Sequence, residues 1–232
     1  MGAAELEAIR LTVLVAGVAV ACSLPGAVAV AWVLARWRFS GKFLLEVVVN
    51  LPLVLPPVVT GYLLLVLFGR QGILGGALEQ WLGLRLVFDW KGAALAAAVV
   101  GFPLLVRPIR QAFEAVDPHL LGAARTLGAG PCDSFFSVAL PLARPGLLSG
   151  CVLAFARSMG EFGATLMIAG NIPGVTRTVP LLIYTRLDAP GGGNVVTGLV
   201  LISVLISALA LLAGDLLERR GQRRLRGAQG SL

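Results

Sequence analysis

Charge is what this chain has least of. Only 13% of its 232 residues are Asp, Glu, Lys or Arg, where an average soluble domain carries about a quarter. Histidine occurs once and cysteine three times. So few ions exclude a cytosolic enzyme and a disordered tail, because neither can dress its surface or solvate its chain without them. The cysteines exclude a disulfide-stapled secreted domain: Cys22, Cys132 and Cys151 are odd in number and lack metal-ligand spacing. Cys22 and Cys151 sit in apolar runs and read as small buried hydrophobes. The single histidine, His119, is expected solvated on a surface helix, so metal chemistry has no ligand set and no cofactor is implied. No glycine-rich loop ending in Lys-Ser/Thr occurs, so this chain has no ATP-hydrolysing site of its own. Nor do scattered acids and one histidine supply the convergent nucleophile and base of a membrane enzyme; no residue is assigned a catalytic role.

What the chain has in abundance is apolar residues, 57% of the total. Nearly uncharged stretches run over Leu11–Ala35, Val47–Gly69, Gly92–Val106 and Ala189–Gly214. The first two are 25 and 23 residues long, enough to cross a bilayer core of about 30 Å at about 1.5 Å per residue. The fold class expected is all-α: a polytopic membrane helical bundle, residues 1–232 forming one membrane domain. Five crossings are expected, over about 11–35, 46–69, 92–108, 145–169 and 194–214. The third is short, to be lengthened by snorkelling of Lys91 and Arg107. The apolar run past Cys22 is too long for a signal peptide, so the first segment reads as a retained span.

The 19 basic residues against 12 acidic ones leave a net charge of +7. They cluster in the gaps between apolar runs, which is an orientation signal and not a nucleic-acid surface. With the C-terminus cytoplasmic, the inner segments hold Arg36, Arg38, Lys42, Arg107, Arg110, Arg125, Arg144 and the tail arginines 219, 220, 223, 224 and 226. The outer segments hold half as many: Arg10, Arg70, Arg85, Lys91, Arg177 and Arg186. The expected placement is a multi-pass cytoplasmic (inner) membrane protein with its N-terminus outside. Apart from a short glycine turn at 191–193, no low-complexity segment or internal repeat is visible.

A polar inner loop separates the third and fourth spans, over about 108–143. Asp117-Pro118 is a helix start, with Asp as N-cap and Pro at the first helical position. Leu120, Leu121, Ala124 and Leu127 then fall on one face, and Gly128 suits a left-handed helix end. Pro131 opens a second short helix through Phe135 and Phe136, which Pro141 closes. Periodicity alone reads equally as a membrane-surface helix pair.

This loop resembles that of the permease subunits of bacterial ABC importers, whose pattern is Glu-Ala-Ala, three residues, Gly, nine residues, Ile, one residue, Leu-Pro. Ala123, Ala124, Gly128, Val138, Leu140 and Pro141 stand at the matching places, while Gly122 replaces the usual Glu and Val138 the usual Ile. Within that family the chain is similar to molybdate permeases, through the segment 51–62 with Pro56-Pro57-Val58-Val59-Thr60-Gly61, the segment 156–165 with Arg157-Ser158-Met159-Gly160-Glu161-Phe162-Gly163, and Asn171-Ile172-Pro173-Gly174. Sulfate permeases share a related form of the second segment. The resemblance implies a homodimer, two copies of a cytoplasmic ATPase docked on the loop as a coupling element, an oxyanion-binding protein outside, and molybdate as cargo, with tungstate or sulfate as the alternative. A self-contained secondary transporter would show inverted repeats and more spans.

Two groups of intramembrane residues are candidates for the path. Arg157 and Glu161 are four apart, hence on one helix face, and read either as a pair that holds the bundle or as a pathway pair, with Ser158 offering a hydroxyl to an oxyanion. Pro52, Pro56 and Pro57 break the hydrogen-bond ladder of the second span. With Thr60 and Gly61 they read either as a structural kink or as a pore-lining gate segment.

Overall fold

The computed structural model describes residues 2–187 and 193–229, and every regular element among them is helical. Of the glycine turn expected at 191–193, residues 191 and 192 lie outside the described residues and Gly193 opens the last helix. In chain order the elements are α1 (Ala3–Arg36), α2 (Lys42–Val54), α3 (Pro57–Phe68), α4 (Ile73–Leu82), α5 (Trp90–Glu114) and α6 (Pro118–Thr126). There follow α7 (Pro131–Ser134), a π-helical segment Phe135–Ala139, α8 (Leu140–Leu142), α9 (Arg144–Met159), α10 (Gly163–Ala169), α11 (Val179–Leu187) and α12 (Gly193–Gln229).

α1 and α5 are the unbroken walls of the bundle. They lie side by side along their lengths and run in the same direction, since Val15 and Ala19 share a core with Ala93–Val100, whereas Ala27, Ala31 and Leu34 share one with Leu105–Phe113. The buried face of α1 is mostly Ala8, Ala16, Ala19, Ala27 and Ala31; Ala19 meets Ala93, Ala94, Ala96 and Ala97 of α5, and Ala27 and Ala31 meet its Leu105–Phe113 stretch. Small residues let two backbones approach closely, which is what packs helices where lipid supplies no hydrophobic drive. At 25 residues α5 is longer than the expected 92–108. Its helix continues through Pro103 and Pro108 to Glu114, so it spans without the help of snorkelling.

The other crossings are broken. α2 and α3 meet at 113°. The reason is local: Pro56 drives Leu55 to an extended ψ of 143°, and Pro57 does the same to Pro56, at ψ 134°. Pro52, expected to break the helix too, lies inside α2. The span expected over 145–169 is likewise two helices, with the chain leaving helical geometry between Met159 and Gly163. The five expected crossings thus correspond to two unbroken helices, two broken ones and α12, whose apolar part is Val196–Leu212. α4 and α11 lie between the expected crossings, where no helix is assigned from the sequence.

Candidate functional site

The residues singled out in the sequence fall into two regions at different depths. The first is the loop. Asp117 caps α6 as expected, its carboxylate accepting from the His119 N–H at 2.8 Å. Gly128 takes φ +94°, and Leu127 before it is 90% exposed. No residue of α6 is buried, and Gly122, Ala123 and His119 face open solvent. α6 stands off the bundle, with Leu121 alone of its leucines partly packed on the core.

After α6 the expected second helix does start at Pro131 and run through Phe135 and Phe136, but Pro141 does not close it. Residues 131–142 are helical throughout, with a π-helical turn at Phe135–Ala139 that carries Val138, and Pro141 lies inside α8. The turn back into the bundle comes at Ala143, where this arm meets α9 at 67°. Pro145 in the first turn of α9 fits that position, where a missing N–H costs nothing.

Side chains missed by sequence reasoning anchor the arm. The Phe135 ring sits 5.0 Å from Trp32 of α1 and 5.9 Å from Phe113 of α5, and Trp32 meets Phe113 edge-on at 5.1 Å. Arg36, one turn beyond Trp32, lies 5.7 Å over its ring. Its Nη2 donates to the carbonyls of Phe113 at 2.9 Å and Val116 at 2.6 Å. A cation on the last carbonyls of α5 sits where the helix dipole favours it. Nearby, α2 is tied to α5: Arg107 donates twice to the Asn50 side-chain Oδ1, and Arg110 bridges Glu46 and Glu114 at 2.8 and 2.7 Å. The spacings Glu46/Asn50 and Arg107/Arg110 place each pair on one helix face, and that could have disclosed the tie in the sequence.

The second region is where the two breaks touch. Gly163 abuts Pro57 and Val58 so closely that an added Cβ would lie 3.0 Å from the Pro57 Cβ. At Gly61 an added Cβ would come within 2.7 Å of the Ala164 backbone. Thr60 is buried between them, at 4% exposure, and its hydroxyl finds no partner among the described residues. Pro56 is exposed. Arg157 and Glu161 pair at 2.8 Å, but not as neighbours on one helix face. α9 ends at Met159, and Glu161 occupies the break. Its Oε1 accepts from the Ala164 N–H at 3.0 Å, capping α10, while Oε2 faces the guanidinium. One carboxylate thus neutralises a half-exposed arginine and closes a helix start, in a position 3% exposed. Ser158 is buried, its hydroxyl lying toward Gly101 of α5.

At the far end, Asn171 joins Thr185 and Arg177 through its side-chain amide, at 2.9 and 2.8 Å, knitting the connection from α10 to α11. The α11 start is fastened to α1, the Val179 N–H donating to the Thr12 hydroxyl at 2.8 Å.

Comparison with known proteins agrees with this architecture. Residues 26–226 match the family model for the binding-protein-dependent transport system inner membrane component. The molybdenum transport system permease protein ModB of Escherichia coli (strain K12) is 51% identical over 95% of this chain and 96% of its own length. The ModB of Haemophilus influenzae is 50% identical over the same shares. The sulfate transport system permease protein CysT of Salmonella typhimurium is 36% identical, over 96% of this chain and 79% of its own. Among solved structures, a bacterial ABC transporter involved in the import of alginate superposes with TM-score 0.71 at 16% identity, covering 95% of this chain and 80% of that one. The MetNI methionine ABC transporter does so with TM-score 0.68 at 18% identity, covering 94% of each chain. With a family match over most of its length and half its residues shared with such permeases, the chain belongs to the binding-protein-dependent transport system inner membrane components.

Proposed function

We propose that the chain is the permease subunit of an ATP-driven molybdate importer, working as a homodimer in the cytoplasmic membrane with its N-terminus outside. The observation that carries the reading is α6: a helix with no buried residue, presenting Leu127 and Leu120 to solvent, at the position of the family's loop pattern. Exposed leucines rimmed by polar residues are what a partner surface requires, and a cytoplasmic ATPase is the partner that pattern implies. The energy then comes from ATP on that partner. Closing of the ATPase pair draws the two loops together and opens the path outward; hydrolysis reverses it. Gly122, Ala123, Ala124 and Gly128 give the partner close access, while Val138, Leu140 and Pro141 lie in the arm behind them.

The path is assigned to the meeting of the two breaks, Pro56, Pro57 and Thr60 on one side and Arg157 and Glu161 on the other. Non-helical backbone at membrane depth persists only where protein or a water-filled cavity shields it. Glu161 neutralises Arg157, so the path holds a dianion weakly. Tight binding belongs to a separate protein outside, which delivers the oxyanion. Molybdate is favoured over sulfate by the closer similarity to molybdenum permeases.

The test is uptake by proteoliposomes holding this chain, its ATPase and its binding protein. ATP-dependent entry of labelled molybdate, with tungstate competing and sulfate not, is the expected result. Entry of sulfate with no entry of molybdate overturns the cargo assignment, and entry of neither in an ATP-hydrolysing complex overturns the function.

A further inference from the structure

The arm that carries α6 has two routes into the bundle besides its direct chain link to the unbroken α5 at Ala115–Asp117. One is the onward chain, through the 67° bend into α9. That route is interrupted, because α9 ends at Met159 and three residues of irregular backbone follow before α10. The route through α2 and α3 is interrupted as well, by the 113° turn at Leu55–Pro56. The second route is by side chains: Phe135 against Trp32 and Phe113, with Arg36 lying over Trp32 and holding the carbonyls at the end of α5. From Arg36, α1 runs back helical to Thr12, 24 positions away and about 36 Å at about 1.5 Å per residue, with Pro25 inside it removing one hydrogen bond of the ladder. Close alanine packing against the parallel α5 stiffens it. Near its far end Thr12, 1% exposed, accepts the Val179 N–H at the start of α11. Directly before α11 comes the knitted connection of Asn171, Thr176 and Arg177.

We propose that α1 is a strut that carries movement of the α6–α8 arm to the opposite face of the membrane, entering at the Trp32–Arg36 latch and leaving at the Thr12–Val179 contact. The inference rests on the importer reading above and adds the route by which the state of the ATPase is reported to the face where the binding protein docks. Coupling between distant sites is carried by packed side chains, hydrogen bonds and rigid elements, and α1 joins the Trp32–Arg36 contacts at one end to the Thr12–Val179 bond and the Ala8 packing at the other. Trp32, Arg36 and Thr12 are positioning residues: none touches cargo or nucleotide. Because coupling is reciprocal, the same strut conveys docking at the outer face back to the ATPase.

The experiment uses the complete transporter in lipid nanodiscs, and in proteoliposomes for uptake. It compares Trp32→Leu, Arg36→Gln, Thr12→Val and the conservative Trp32→Phe. Two quantities are read: stimulation of ATP hydrolysis by molybdate-loaded binding protein, and ATP consumed per molybdate imported. In Trp32→Leu and Arg36→Gln, stimulation is expected to fall at least about fivefold, with ATPase co-purification and basal hydrolysis retained. Trp32→Phe keeps an aromatic contact and restores most of the stimulation. Thr12→Val, which conserves shape at the far end from the arm, is expected to lower stimulation and raise the ATP consumed per ion. Should the Trp32 and Arg36 variants fail to assemble, Thr12→Val decides alone. Unchanged stimulation and stoichiometry in Thr12→Val, or in assembled Trp32→Leu, overturn the strut. A wild-type complex that shows no stimulation and no uptake overturns the importer reading instead.

Discussion

Glu161 does two jobs with two oxygens, and substitution separates them. Glu161→Gln keeps a carbonyl oxygen for the Ala164 N–H but leaves Arg157 without its counter-ion; Glu161→Ala removes both. Losing the last acceptor of a buried N–H costs about 1–3 kcal/mol. The alanine variant is therefore expected to melt below the glutamine variant, and both below wild type, in thermal unfolding of the detergent-solubilised protein. Equal melting of the two would show that the cap contributes nothing. The four-residue spacing of Arg157 and Glu161 makes the pair legible in the sequence, and it forms. The spacing does not disclose the helix end between them, because Gly160 is a weak breaker whose effect depends on Pro57 and Val58 packing against Gly163. The burial of Ser158 is likewise set from a distance: its neighbour across the bundle, Gly101, is 57 positions away in the chain.

At the level of helices, the break between α2 and α3 is written in consecutive residues and the rest is not. Leu55, Pro56 and Pro57 dictate extended geometry whatever surrounds them, whereas α4 and α11 are short and depend on neighbours for stability. The caps of α6 at Asp117 and Gly128 were legible because capping is local chemistry. The Trp32–Phe113–Phe135 cluster was not, its members lying on three separate elements. If the 113° turn serves the path, the double variant Pro56→Ala/Pro57→Ala, which permits α2 and α3 to join, is expected to reduce molybdate uptake about tenfold or more while the subunit still co-purifies with its ATPase, a break-filling cost comparable to that of a proline in reverse. Wild-type uptake by this variant would make the break a mere accommodation of packing.

For the molecule as a whole, the three cysteines supply a native measure of orientation. Cys132, on the arm, is exposed; Cys22, expected buried, is exposed on α1 within its apolar run; Cys151 is half-buried. A membrane-impermeant maleimide is expected to label Cys132 in inverted vesicles and not in right-side-out ones, and to leave Cys22 untouched in both because that surface faces lipid or a second copy. Docked ATPase should protect Cys132. Labelling of Cys132 from the outside would invert the topology drawn from the basic residues.

The exposure of Leu127 carries a cost outside transport. A subunit made in excess of its partner displays an uncovered leucine at the membrane surface, the kind of feature by which quality-control proteases recognise orphans. Under the proposed docking role, partner and protease would compete for this one patch, with no dedicated sensor needed to remove surplus copies. The half-life of this chain in cells should lengthen when its ATPase is co-produced, and should lose that dependence in Leu127→Ser; equal half-lives with and without the partner would separate assembly from turnover.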